Sequence, residues 1–179
     1  IIKKIIEPTL KALKEMGNSY KGFLYAGLMI KENEPYLIEY NIRMGDPECQ
    51  VLMMRLKTSL FDVVKSVINN DLKNLSIEWS DENCMTIVLC SRGYPDKYEK
   101  NIEIKNLDKV INDEKNQIFH AGTIEKNKKI FSNGGRVLNF VNLCKDFKIG
   151  RNALINLINQ LNWGNGFFRK DIGYKVIKK

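Results

Sequence analysis

The residues of this chain best able to do chemistry sit together in Glu39-Tyr40-Asn41-Ile42-Arg43-Met44-Gly45-Asp46-Pro47-Glu48-Cys49. The first five alternate in character. On an extended strand Glu39, Asn41 and Arg43 share one face, and Ile38, Tyr40 and Ile42 share the other. The apolar face suits a core. The polar face sets out a carboxylate, an amide oxygen and a guanidinium at steps of about 7 Å. Hard oxygen donors beside a positive fork suit Mg²⁺ and nucleotide phosphates. The bare pattern also fits an exposed strand face with Arg43 in a surface ion pair. Gly45-Asp46-Pro47-Glu48 turns the chain and adds two carboxylates, which alone read as turn formers or as acids at a helix N-terminus.

A strand is needed to hold that face. Tyr20 to Ile30 and Tyr36 to Ile42 read as two strands joined at Asn33-Glu34-Pro35, a hairpin, with Gly22 and Gly27 allowing close approach. Before them, Ile2, Ile5, Ile6, Leu10 and Leu13 recur at helical spacing. Pro8 interrupts that helix or starts its better-formed part, and Gly17-Asn18 ends it. After the acidic turn, Glu48 to Arg55 reads as a helix. Thr58 or Ser59 then caps Leu60 to Ile68, with Phe61, Val64, Val67 and Ile68 on its apolar side.

Asn69 to Ser80 is polar and marks a boundary, giving expected domains 1–75 and 76–179. The second is strand-rich: Cys84 to Cys90, Asn101 to Ile104, Gln117 to His120, Lys129 to Phe131 and Arg136 to Leu143. Turns are expected at Gly93-Tyr94-Pro95, Gly122-Thr123 and Asn133-Gly134-Gly135, the last as a tight hairpin. Phe147 to Leu161 reads as a helix with Ile149, Ala153, Leu154, Leu157, Ile158 and Leu161 inward. An aromatic tail, Trp163 to Ile177, closes the fold. The class is α+β.

Composition narrows the alternatives. The chain has 179 residues, 44% hydrophobic and 28% charged, which is ordinary for a globular protein. No apolar run reaches the roughly 20 residues that span a bilayer, and no signal-peptide pattern is present, so a cytoplasmic protein without a membrane partner is expected. Net charge is +8. Lysine pairs occur at Lys3-Lys4, Lys128-Lys129 and Lys178-Lys179, but no basic stripe interleaved with aromatics, so a nucleic-acid partner is not expected. Four cysteines with no C-x-x-C and a single histidine, His120, argue against zinc and for reduced, buried thiols. His120 reads first as a hydrogen-bonded structural residue. The start at Ile1 points to a piece of a longer protein.

Four stretches in order carry a resemblance. Tyr25-Ala26-Gly27-Leu28-Met29 followed by Ile38 to Gln50 resembles the signature of the phosphoribosylamine–glycine ligase family, also called glycinamide ribonucleotide synthetases, in the ATP-grasp superfamily. Arg92-Gly93-Tyr94-Pro95 with Tyr98-Glu99 is similar to that family's early C-domain motif. Phe119-His120-Ala121-Gly122-Thr123 and Ser132-Asn133-Gly134-Gly135-Arg136-Val137-Leu138 resemble its middle motifs. Phe168-Arg169-Lys170-Asp171-Ile172-Gly173-Tyr174 resembles its closing one. Together they span nearly the whole chain.

The resemblance implies the end of an ATP-grasp core, antiparallel strands plus helices, followed by a small strand-rich C-terminal domain. It implies Glu39 and Asn41 as ligands of Mg²⁺ or Mn²⁺ among the phosphates of ATP, the co-substrate. It places Arg43 near the transferred phosphate or the acyl-phosphate as the catalytic residue, and Asp46 and Glu48 in a loop by the glycine and amine site. Arg136 would reach a substrate phosphate. The implied reaction joins glycine to 5-phosphoribosylamine through glycyl phosphate. Many other ATP-grasp enzymes carry a metal carboxylate about a dozen residues before the Glu. Tyr25-Ala26-Gly27-Leu28 has none, which separates this chain from carboxylase-type relatives. The lobes that clamp adenine would belong to an N-terminal part of the same enzyme, so the segment alone is expected to be inactive. Another ATP-grasp ligase or carboxylase, or a non-enzymatic basic binding module, are the competing readings.

Overall fold

The computed structural model describes residues 1–110 and 113–177; the Lys178-Lys179 pair lies outside them. The elements in chain order are a π-helical turn at Ile2–Ile6, then α1 (Glu7–Glu15), β1 (Tyr25–Lys31), β2 (Glu34–Asn41), α2 (Glu48–Arg55), α3 (Leu60–Ile68), β3 (Asn83–Ser91), β4 (Glu103–Ile104), β5 (Asn116–His120), β6 (Thr123–Lys126), β7 (Lys129–Ser132), β8 (Arg136–Cys144), α4 (Phe147–Ile158), β9 (Gly166–Phe167) and α5 (Tyr174–Ile177). Among the described residues all strand pairing is antiparallel. The fold is α+β. It divides into two compact units, residues 1–46 with 57–78 and residues 47–56 with 79–179. Among the described residues no helix is long and apolar enough to cross a membrane.

In the first unit the opening helix forms as its periodicity predicts. Pro8 sits in the first turn of α1, where its missing N–H costs no hydrogen bond. The hairpin is shorter and shifted. Tyr20 to Leu24 stay outside β1, because the Tyr20 hydroxyl donates to the Phe23 carbonyl at 2.6 Å and closes a local loop. The turn falls on Glu32-Asn33, both at positive φ, the backbone of a two-residue hairpin loop. Pro35 lies inside β2 opposite Ile30, as a two-stranded edge permits. A register shift after Gly27 leaves Ile38 out of the ladder. The expected apolar face does not form a core in this unit: Ile38 is 66% and Ile42 76% exposed. Only Tyr40 packs, its hydroxyl 2.6 Å from Thr9 Oγ1 and donating to the Ile5 carbonyl at 3.1 Å. On α3, Val63 is the buried residue, whereas Phe61 and Ile68 of the expected apolar side are exposed. Ser59 is its N-cap but makes no side-chain cap bond, and the Thr58 hydroxyl instead accepts from the Glu78 backbone N–H at 2.7 Å.

The second unit holds the main core. A four-stranded sheet runs β5-β8-β3-β9, and a three-stranded sheet runs β4-β7-β6. Ile87, Val137, Leu138, Phe140 and Leu154 are essentially inaccessible to solvent and pack in one cluster with Met85, Leu89, Ile104 and Trp163. Burying each large aliphatic or aromatic side chain contributes about 1.5–3 kcal/mol relative to leaving it exposed. α4 begins at Asp146, whose carboxylate accepts from the Ile149 backbone N–H at 2.9 Å. The helix ends at Ile158, three residues before the expected Leu161. Ile149, expected inward, is exposed; Gly150 faces the sheet and meets Cys144. Asn133-Gly134-Gly135 is not a hairpin: β7 and β8 belong to different sheets, and this segment carries the chain from one to the other. The strand β6 and its Asn127-Lys128 turn, both residues at positive φ, were not expected.

Candidate functional site

Two groups of candidate residues form, one within each unit. In the first, Glu39 and Asn41 share a face of β2, as alternation predicts. Asn41 Nδ2 donates to Glu39 Oε1 at 3.0 Å. Glu39 is exposed and Asn41 half-buried. Glu39 stands directly opposite Gly27 on β1. A methyl group on Gly27 would lie 3.1 Å from Glu39 Cγ, so the absence of a side chain lets the carboxylate stem lie against the neighbouring strand. β2 ends at Asn41. Arg43 therefore lies beyond the ladder, and its Nη1 donates to the Met44 carbonyl at 2.9 Å. Asp46 is exposed at the end of this stretch of the unit. Glu48 is the first residue of α2, in the second unit, and is half-buried.

A carboxylate and an amide oxygen two residues apart make a hard donor pair. Mg²⁺ commonly takes one or two protein oxygens and completes its shell with phosphate and water. The donor set fits that use. Among the described residues no cluster of three or more His, Cys, Asp or Glu side chains could hold a metal by itself. Any cation at Glu39 and Asn41 would complete its shell with oxygens beyond these two side chains.

The second group surrounds Arg136, the first residue of β8. Three sequence-distant motifs converge there. Ser91 Oγ donates to the Gly134 carbonyl at 2.8 Å, and the Ser91 backbone N–H to the Gly135 carbonyl at 2.8 Å. The Gly122 N–H donates to the Arg136 carbonyl at 3.0 Å, and the Asn133 N–H to the Gly122 carbonyl at 2.7 Å. Arg136 Nε donates to the Tyr94 hydroxyl at 3.1 Å, and the guanidinium carbon lies 6.0 Å from the Tyr94 ring centroid. The ring rests on Gly135: a methyl there would fall 2.1 Å from Tyr94 Cδ2. His120, exposed nearby in sequence, pairs its Nδ1 with Thr123 Oγ1 at 2.9 Å. The closing motif is anchored through Arg151, whose Nε donates to the Ile172 carbonyl at 3.0 Å and whose Nη2 donates to the Lys170 carbonyl. Arg169 and Asp171 form an exposed ion pair at 2.7 Å. Sequence reasoning singled out Arg136 but gave Tyr94 no role. The available signal was an aromatic between Gly93 and Pro95, with a glycine pair preceding Arg136.

An antiparallel hairpin, followed in the chain by a strand-rich α+β unit, carries these residues. Residues 84–175 match the family model described as phosphoribosylglycinamide synthetase, C domain. Residues 1–49 match the one described as phosphoribosylglycinamide synthetase, ATP-grasp (A) domain. The chain belongs to the phosphoribosylglycinamide synthetase family. It is 42% identical over 178 residues to a phosphoribosylamine–glycine ligase of Agrobacterium fabrum, covering 99% of this chain and 42% of that protein. It is 40% identical to the chloroplastic phosphoribosylamine–glycine ligase of Arabidopsis thaliana, covering all of this chain and 34% of that one. The crystal structure of the Thermotoga maritima phosphoribosylamine–glycine ligase superposes with a TM-score of 0.80 at 32% identity, over 95% of this chain and 41% of that chain. The chain thus spans about two fifths of the length of the Agrobacterium fabrum and Thermotoga maritima proteins.

Proposed function

We propose that the chain is the C-terminal part of an ATP-dependent ligase that joins glycine to 5-phosphoribosylamine, giving glycinamide ribonucleotide, ADP and phosphate in purine biosynthesis. The observation that carries this reading is the Glu39 carboxylate and the Asn41 side-chain amide in hydrogen-bond contact on β2, in a chain of this family. In the first step a glycine carboxylate oxygen attacks the γ-phosphorus of ATP, releasing ADP and forming glycyl phosphate. In the second the phosphoribosylamine nitrogen attacks the glycyl carbonyl. The C–N bond forms, phosphate leaves and the nitrogen loses a proton.

Both steps bring anions together, so positioning and charge neutralisation dominate. Glu39 and Asn41 would hold the divalent cation, Mg²⁺ or Mn²⁺. When bound, that ion supplies Lewis-acid polarisation of phosphate oxygens. Arg43 is assigned to the transferred phosphoryl group, where a guanidinium offsets charge on the equatorial oxygens. Asp46 and Glu48 are assigned to the glycine and amine side, and Arg136 to the substrate phosphate. We further propose functional domains 1–75 and 76–179, an ATP-grasp end and a C-terminal domain. Four free cysteines fit a reducing compartment, which we take to be the cytoplasm.

Much of the remaining machinery would lie in an N-terminal part of the enzyme. Exposed Met29, Ile38, Ile42 and Phe61 in the first unit fit a surface that such a part covers. The test is ADP release by the complete enzyme and by this segment. The reading expects turnover that needs both glycine and phosphoribosylamine, and none from the segment alone. Bicarbonate-dependent release, or glycine-dependent turnover by the segment, would overturn it.

A further inference from the structure

We propose that Tyr94 is a positioning residue for Arg136, setting its guanidinium to receive the 5-phosphate of phosphoribosylamine. The inference rests on the assignment of Arg136 to that phosphate in the proposed function. An exposed arginine at the end of a strand ordinarily samples many rotamers, and holding it in one costs entropy. Here Tyr94 holds it through two contacts. The Tyr94 hydroxyl accepts from Nε at 3.1 Å, and the ring carries the cation 6.0 Å from its centroid. A guanidinium has five N–H donors in a rigid plane, so one bond at Nε sets the direction of the whole fork.

Tyr94 is itself held. It is half-buried, with its ring edge-on to Tyr98 at 6.2 Å between centroids. Its other side lies on Gly135, the residue immediately before Arg136, where any Cβ would collide with the ring. Ser91, three residues before Tyr94, is fully buried and bonds the carbonyls of both Gly134 and Gly135. The loop bearing the tyrosine and the segment bearing the arginine are therefore tied together at three points. A purely structural tyrosine in the core would not need its hydroxyl on an exposed cation. This one spends its only polar atom orienting a group that meets solvent, which is the arrangement expected where a phosphate must be met at low entropic cost.

The experiment compares Tyr94→Phe, Tyr94→Leu, Arg136→Ala and the Tyr94→Phe/Arg136→Ala double variant in the complete enzyme. Michaelis constants for phosphoribosylamine, glycine and ATP are measured alongside melting temperature. Tyr94→Phe keeps the ring and loses the hydroxyl. It should raise KM for phosphoribosylamine about three- to tenfold, the scale of one ordinary solvent-accessible hydrogen bond. KM for glycine and for ATP, and the melting temperature, should stay unchanged. Tyr94→Leu should raise the phosphoribosylamine KM further, since the cation–π contact is lost as well. In the double variant Tyr94→Phe should add nothing beyond Arg136→Ala, because the two act through one guanidinium. If Arg136→Ala raises KM but Tyr94→Phe does not, or if the two effects add fully, the positioning role is overturned while the arginine assignment stands. If Arg136→Ala leaves the phosphoribosylamine KM unchanged, the assignment itself fails and the inference falls with it. A uniform rise in all three constants with a lower melting temperature would mark Tyr94 as structural and also overturn the proposal.

Discussion

Asn41 donates to Glu39 across 3.0 Å on one face of β2, so the two side chains proposed as metal ligands already touch. The bond occupies a carboxylate lone pair that a cation would use. Loading the site would exchange an amide N–H for a metal, with Asn41 turning its oxygen toward the ion. Gly27 opposite gives Glu39 the room it occupies.

The first prediction concerns that room. Gly27→Ala places a methyl 3.1 Å from Glu39 Cγ, close enough to push the carboxylate aside without burying it. In the complete enzyme the Mg²⁺ concentration for half-maximal rate should rise by about tenfold, the scale of displacing a ligand's supporting contacts. A Mg²⁺ titration of the rate checks this. An unchanged midpoint would mean that Glu39 tolerates the methyl or does not bind the ion.

Core packing gives a second prediction. Leu154 of α4 is fully buried against the four-stranded sheet. Leu154→Ala should cost about 2–5 kcal/mol of unfolding free energy through lost transfer and a residual cavity. Urea denaturation followed by circular dichroism measures it. The corresponding change at exposed Ile149 should cost under about 0.5 kcal/mol.

The closing segment gives a third. Arg151 binds the carbonyls of Ile172 and Lys170 and so ties the tail to α4. Arg151→Ala should cost about 1–3 kcal/mol, because those carbonyls lose a charged donor. Hydrogen exchange should show the loss first at residues 170–173.

A pH dependence follows from Cys84. Burial pushes its thiol from an ordinary 9.0 up to about 12, and neighbouring Cys144 adds to the rise, while Arg55 and the Met85 backbone N–H oppose it. The folded state therefore keeps a proton that the unfolded chain has given up. That contribution to stability is full below about pH 9 and is lost as pH rises toward 12. Urea midpoints should fall more steeply over that window in wild type than in Cys84→Ala. Iodoacetamide at pH 8 should label Cys84 far more slowly in the folded protein than in urea.

Much of this fold is legible in the sequence, for reasons that can be traced. The α1 periodicity, the Pro8 position, the limits of α2 and the long β3 and β8 strands all follow from local pattern and strong apolar content. The hairpin turns did not, because Glu32-Asn33 and Asn127-Lys128 adopt positive φ without the glycine that usually announces it. Asn133-Gly134-Gly135 has the composition of a hairpin but connects two sheets, a choice made by Ser91 and Gly122 far away in sequence. The exposed Ile38, Ile42 and Phe61 misled a reading based on periodicity, since an apolar face needs something to pack against and the first unit supplies little. At the candidate site the Glu39–Asn41 face follows from alternation alone. The Tyr94–Arg136 pair could not be read, because 42 residues separate its members.

If Glu39 holds the divalent ion for phosphoryl transfer, turnover of Glu39→Gln in the complete enzyme at saturating Mg²⁺ reports it most directly. The expected loss is about 10²–10³-fold, the scale of removing one electrostatic stabiliser of a transition state. The melting temperature should hold, because Glu39 is exposed. A wild-type rate at saturating Mg²⁺ would contradict it.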